Sequence, residues 1–196
     1  MYFFTHLLIS KVLYRHFEGE ISLDRRAFAY GNIKPDLPSP ERMHHTLDKY
    51  IHTVCEKSKK LMEEEVSLED FSVILGEICH YVCDFFCYYH LSEKVHNRKL
   101  RHCFYEISLH LEMHRLRMLK GWKAQSKNLD PRKDIRSIVD ELRKEYYSEP
   151  HKRKRDIDFA TQAAIWACES IIYYLRFPSD IADSTQDEEQ LAVHTA

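Results

Sequence analysis

Three residues of the types that bind metal ions lie close together in the apolar stretch "HYVCDFFCYYH", residues 80–90. Three residues separate His80 from Asp84, and five separate Asp84 from His90. On one continuous helix the three side chains would share half of the cylinder and could converge on a common interior. A buried carboxylate needs a counter-charge, and residues 71–92 contain no Lys or Arg. The stretch therefore predicts either a metal site or a core helix with satisfied polar groups.

Four other segments carry residues of the same types. His102 and Glu106 are four positions apart, so that on a helix they would lie on one face and could bind one ion. The remaining candidates are Asp36 in a proline-rich loop, the adjacent pair His44 and His45, and His6 near the N-terminus. Each alone is explained more readily by a core histidine or by a surface hydrogen-bonded pair than by a metal ligand. Together they favour a metal-binding interior assembled from five segments.

A different metal motif, Glu-x-x-His, occurs at Glu41/His44, Glu77/His80 and Glu93/His96. It is the ligand pair of di-iron helical bundles, which also need two inward glutamates at matched depth. A chain rich in Glu and His supplies such matches by chance. We therefore do not expect a di-iron site.

The elements that must position these residues are helices. The chain of 196 residues has only 4 glycines and 6 prolines, against 44% hydrophobic and 31% charged residues, which favours helices over a turn-rich β fold. Apolar periodicity predicts helices over residues 3–18, 23–31 after the cap Ser22, 41–65, 68–90 after the cap Ser67, 97–125, 131–147 and 156–177. We expect one domain over residues 1–178 and a disordered acidic tail over residues 179–196.

Charge and cysteine usage narrow the function classes. The 29 basic and 31 acidic residues give a net charge of -2, which is no strong signal for nucleic-acid binding. No apolar run is long enough for a transmembrane segment, and the N-terminus lacks the basic region and cleavage site of a signal peptide. Cys79, Cys83 and Cys87 recur every four residues, which predicts packing thiols rather than a disulfide scaffold. We expect a cytoplasmic protein, with unconventional export left open.

In this order, the candidate residues resemble the bacterial zinc-dependent phospholipase C family. A more distant likeness is to the zinc-dependent single-strand nucleases, which share its all-helical fold. The matching pieces are "TH" at Thr5 and His6, "GNIKPD" ending at Asp36, "HTLD" from His45, "HYVCDFFCYYH" and "HCFYE". The nuclease branch usually ends the last element in aspartate, so Glu106 favours the phospholipase side. The resemblance implies an all-α, single-domain, multi-helix bundle.

The resemblance also implies a cluster of zinc ions in a cleft between helices. We expect two zinc ions there, and three at most. The first would bind Asp36, His45, His80 and Asp84; the second His90, His102 and Glu106; the third His6, Asp84 and the chain's own N-terminal amine and carbonyl. His45 is preferred to His44 because the family motif has an acidic residue three positions later, here Asp48. Asp36 would be the catalytic residue that orients or deprotonates the attacking water. Met1 is a departure, because secreted relatives begin with a processed N-terminal tryptophan.

These residues predict a zinc-dependent phosphodiester hydrolase of phospholipase C type, acting on phospholipid head groups or another phosphodiester. No cofactor other than zinc is expected. Two alternatives stay open: a zinc-dependent nuclease or nucleotidase that uses the same metals, and a helical metal-binding protein without catalysis.

Overall fold

The computed structural model describes residues 1–38, 45–91, 99–118 and 130–180. Within these ranges the chain forms α-helices and short 3-10 turns and no strand, which confirms the all-helical prediction. The helices are α1 (Phe3–His16), α2 (Arg25–Gly31), α3 (Leu47–Glu63), α4 (Leu68–Asp84), α5 (Lys99–Met118), α6 (Ile135–Tyr147) and α7 (Arg153–Arg176). The two 3-10 turns are Lys34–Asp36 and Tyr88–His90.

Helix α4 forms the centre of the domain, with α2, α3 and α7 packed around it. Every residue of α4 from Leu75 to Asp84 is buried, and Leu75, Ile78 and Val82 have no exposed surface. Because this helix is buried on all sides, its polar residues lie in the protein interior. Among the described residues, none of the helices combines the length and the hydrophobicity that a membrane span requires.

Two glycines allow α2 and α4 to approach closely. A Cβ atom at Gly31 would lie 2.1 Å from the carbonyl oxygen of Val73, and one at Gly76 would lie 2.5 Å from the carbonyl oxygen of Phe28. These distances leave no room for a side chain at either position. The contact places the end of α2, with the following residue Asn32, against the middle of α4.

The predicted helix over residues 68–90 is correct at its start and wrong at its end. The Ser67 hydroxyl caps it as expected, accepting the backbone N–H of Asp70 at 3.0 Å. The helix stops at Asp84, and His90 lies on the separate turn Tyr88–His90. The physical reason lies far along the chain, because the N–H of Tyr88 donates to the side chain of Asp156 instead of to a helical carbonyl. His80, Asp84 and His90 therefore do not share one helix.

Other helix boundaries differ by a few residues. The cap of α2 is Asp24, not Ser22, and its carboxylate accepts the N–H groups of Arg26 and Ala27. Helix α6 begins after the cap Asp134 rather than at Pro131. The parts of the predicted helices at 41–44, 97–98 and 119–125, the alternative ligand His44 and the tail over 181–196 lie outside the described residues.

Candidate metal centre

All eight predicted ligands lie in one region of the interior. They come from α1 (His6), the first 3-10 turn (Asp36), the short segment just before α3 (His45), α4 (His80 and Asp84), the second 3-10 turn (His90) and α5 (His102 and Glu106). Five of them are buried, and Asp36, His102 and Glu106 retain side-chain exposures of 13%, 13% and 17%. The segments that the sequence singled out thus meet in three dimensions.

Asp84 lies at the centre of this region. Its carboxylate oxygens are 3.2 Å from His6 Nε2, 3.2 Å from His45 Nδ1, 3.4 Å from His80 Nε2 and 3.2 Å from His90 Nδ1. Burial alone would raise the pKa of Asp84, but His90 and the other basic groups around it hold the pKa well below its usual value. The centre therefore contains a charged carboxylate surrounded by imidazoles.

The first ligand group contains Asp36, His45 and His80, whose ligand atoms lie within 4.8 Å of one another. His80 Nε2 is 2.9 Å from His45 Nδ1 and 3.9 Å from Asp36 Oδ1. The other nitrogen of His80, Nδ1, is 2.9 Å from the carbonyl oxygen of Asn32, a contact that assigns Nδ1–H as the donor. Burial lowers the pKa of His80 well below its usual value, which favours the neutral imidazole that binds metal ions.

The second ligand group lies where the turn Tyr88–His90 meets α5. Glu106 Oε1 is 3.1 Å from His90 Nε2 and 2.9 Å from His102 Nε2. Burial alone would raise the pKa of Glu106, but the Met1 amino group and the two histidines lower it. The i, i+4 relationship of His102 and Glu106 on one helix is as predicted.

The third group involves His6 and the amino group of Met1. The His6 ring stacks on His80 with centroids 3.9 Å apart, and its Nε2 is 3.2 Å from Asp84. Both nitrogens of His6 are buried, and neither forms a hydrogen bond among the described residues, so that the Asp84 carboxylate is near Nε2 only as an ionic neighbour. The Met1 nitrogen is buried, contacts Asp84, and lies 2.9 Å from His90 Nε2 and 3.2 Å from Glu106 Oε1.

These residues fit zinc. A buried imidazole with no hydrogen-bond partner, such as His6, is unfavourable unless its nitrogen binds something else. The donors are imidazole nitrogens and carboxylate oxygens, which are standard zinc ligands. The neutral imidazole of His80 beside the charged carboxylate of Asp84 also supplies deprotonated ligands for a divalent cation.

Glu77 does not join this centre, although it belongs to a Glu-x-x-His motif with His80. Its carboxylate forms ion pairs with Lys57 and, at 2.5 Å, with Lys34. Lys34 begins the 3-10 turn that ends at Asp36. Glu77 thus anchors the Asp36 turn to α4 and α3. The other two Glu-x-x-His motifs, Glu41/His44 and Glu93/His96, lie outside the described residues.

A second supporting group, missed at the sequence level, surrounds Asp156 at the start of α7. This fully buried carboxylate accepts hydrogen bonds from the hydroxyls of Tyr105 at 2.6 Å and Tyr146 at 2.8 Å, and it lies 3.0 Å from His151 Nδ1. Tyr105 immediately precedes Glu106 on α5. One indication in the sequence pointed to this buried carboxylate. Asp156 lies four positions before the apolar Ala160, on the buried face of the last predicted helix.

These features define an α-helical protein with a buried centre that can hold several metal ions. The model of one family, zinc dependent phospholipase C, matches residues 5–153. The match covers more than half of the chain and all eight candidate ligands, and the protein therefore belongs to this family. No curated protein and no solved structure gave a significant match.

Proposed function

We propose that the protein is a zinc-dependent phosphodiester hydrolase that acts on phospholipid head groups. The observation that carries this proposal is the convergence of four histidines on the buried carboxylate of Asp84. Family membership supports the class of reaction, and the choice of a phospholipid substrate follows the family.

We assign one zinc ion to the ligand group that contains Asp36 and a second zinc ion to the group that contains Glu106. The first ion would bind Asp36, His45, His80 and Asp84, and the second His90, His102 and Glu106. A third would bind His6, Asp84 and the amine and carbonyl of Met1. Burial alone would lower the pKa of the Met1 amino group, but Asp84 and Glu106 raise it well above its usual value. The third ion must therefore displace a proton from the amine, which makes this the weakest of the three sites.

Asp36 is assigned the role of general base. When bound, zinc ions lower the pKa of water toward about 7 and neutralise the charge of phosphate oxygens. The Asp36 carboxylate lies beside the first ligand group and keeps 13% of its side-chain surface exposed, so that water can reach it. It would take a proton from water as the water oxygen attacks phosphorus and the bond to the glycerol oxygen breaks, and the leaving glycerol oxygen would take up a proton to form the alcohol. The ion pair of Lys34 with Glu77 holds the turn that carries Asp36.

Metal content and turnover test this proposal on the same purified protein. We expect at least two zinc ions per chain by mass spectrometry, and hydrolysis of phosphatidylcholine in micelles and of a chromogenic phosphodiester. Asp84→Asn should lose zinc from more than one site, whereas His102→Ala should lose only the second ion. His52→Ala is the matched control, because His52 is exposed and pairs with Glu56 at 3.4 Å, away from the centre.

Three results separate the alternatives. Two bound zinc ions without turnover of any phosphodiester would contradict the hydrolase and leave a metal-binding protein. Turnover of single-stranded DNA in place of the lipid would favour the nuclease. A zinc content that is unchanged in Asp84→Asn would contradict the assigned centre.

A further inference from the structure

Cys87 differs in its surroundings from the other two cysteines of its series. Cys79 Sγ lies 3.4 Å from Cys168 Sγ, and Cys83 Sγ donates to the carbonyl oxygen of Ala160 at 3.5 Å. Both contacts are those of packed interior thiols, as the sequence predicted. Cys87 instead lies after the end of α4, at the residue that precedes the turn Tyr88–His90. There its thiol faces the candidate metal centre.

The sulfur of Cys87 belongs geometrically to the second ligand group. Its Sγ and the ligand atoms of His90 and Glu106 all lie within 4.8 Å of one another, and the side chain is fully buried. His90 Nε2 and Glu106 Oε1 are 3.1 Å apart. Two ligands about 2.0 Å from one tetrahedral zinc ion are separated by about 3.3 Å, so this pair already has the spacing of a shared ion.

A positive charge already lies at this point of the structure. The Met1 nitrogen is 2.9 Å from His90 Nε2 and 3.2 Å from Glu106 Oε1. His90 and Glu106 thus flank a position that accommodates a cation. This observation is independent of the cysteine itself.

We propose that Cys87 binds the second zinc ion through its sulfur, together with His90 and Glu106. This inference rests on the proposed zinc centre and extends it, because the resemblance assigns only nitrogen and oxygen ligands to that ion. On binding, the thiol releases its proton to solvent as the zinc–sulfur bond forms, without any change in oxidation state.

The sulfur ligand distinguishes the second ion from the first. With His102, whose Nε2 is 2.9 Å from Glu106 Oε1, the second ion has four protein ligands. A second ion that is held by four protein ligands has no position left for water. The first group remains the one that reaches solvent, through the partly exposed Asp36. A thiolate also favours zinc over the harder ions magnesium and manganese.

Cobalt substitution tests the sulfur ligand directly. Cobalt(II) bound to a thiolate has a near-ultraviolet charge-transfer absorption that cobalt bound to nitrogen and oxygen alone lacks. We expect this band in the cobalt-loaded protein and its loss in Cys87→Ser, with a loss of cobalt affinity at one site of at least about tenfold. Cys83→Ser is the matched control, since Cys83 lies one helical turn earlier and is equally buried, and it should keep the band.

A second variant keeps the test valid if Cys87→Ser fails to fold. Cys87→His should keep the wild-type number of cobalt ions while losing the thiolate band. A cobalt-loaded wild-type protein without the band, or a band that persists in either Cys87 variant, would overturn the sulfur ligand. Failure of the proposed function gives a different result, which is no cobalt binding at all, or binding without phosphodiester hydrolysis.

Discussion

The carboxylate of Asp156 accepts the backbone N–H of Tyr88 at 2.9 Å and so joins the last helix to the turn that carries His90. The same carboxylate accepts the hydroxyl of Tyr105, the neighbour of Glu106 on α5. One buried side chain therefore holds both elements that supply the second ligand group. Asp156 lies beyond the region matched by the family model.

Replacing Asp156 should weaken the second metal site without removing a ligand. Asp156→Asn removes the negative charge that accepts these hydrogen bonds. A hydrogen bond to a charged group contributes about 1.5–3 kcal/mol to the stability of the folded state. We expect a free energy of unfolding lower by about that amount in urea denaturation, and a metal affinity lower by about 10–100-fold at one site. Asp158→Asn on the same helix is the control, because its ion pair with Lys154 is exposed and should change stability by less than about 1 kcal/mol. Equal effects of the two variants would contradict this role.

Gly76→Ala should destabilise the protein, although alanine is normally the better helix residue by about 1 kcal/mol. The added Cβ would lie 2.5 Å from the carbonyl oxygen of Phe28 and 2.8 Å from the backbone nitrogen of Asn32, both of which are backbone atoms. We expect a loss of about 1–3 kcal/mol in chemical denaturation. The shift of α2 should also weaken the contact of Asn32 with His80 and lower metal affinity at the first group. A stabilised Gly76→Ala variant would show that α2 and α4 are not packed this closely.

Glu77→Gln should reduce turnover more than it reduces metal content. The substitution removes the charge that holds Lys34 and with it the turn that carries the proposed base Asp36. We expect a lower kcat and a loss of about 1–2 kcal/mol in unfolding free energy, since the lysines are partly exposed while the glutamate is buried. Glu63→Gln, which removes an exposed pair with Lys59, serves as the control. An unchanged kcat would show that Asp36 does not depend on this anchor.

Removing metal should lower thermal stability. An ion that binds only the folded chain stabilises it by about 2.7 kcal/mol when its free concentration is 100 times its Kd. We expect a lower Tm after chelation, recovery on adding zinc, and little response in Asp84→Asn, measured by differential scanning calorimetry. Identical Tm values for chelated and zinc-loaded wild-type protein would contradict a metal centre coupled to folding.

The helices, and the candidate residues that lie on them at regular spacing, could be predicted because both depend on short-range patterns. Apolar periodicity located α1 to within two residues at its end, and the Ser67 cap fixed the start of α4. The spacing of His80 and Asp84 placed both on one buried helix, and that of His102 and Glu106 placed them on one face of another.

The features that were not predicted depend on contacts between residues that are far apart in the sequence. Phe85 and Phe86 contain no helix-breaking signal, and the helix ends there because Asp156 pairs with Tyr88. Asn32 contacts His80 through its backbone carbonyl, a group that every residue type possesses. The position of Cys87 beside His90 and Glu106 follows from the same unpredicted turn.

Asp84 contacts histidines of all three ligand groups with only two oxygen atoms. Each ion that binds must change how the carboxylate is oriented and how much of its charge is left for the next one. Occupancy of one position therefore changes the affinity of the others, and the effect is reciprocal. Zinc titrations should follow a cooperative or anticooperative isotherm instead of a sum of independent sites, and the centre loads and empties as one linked system.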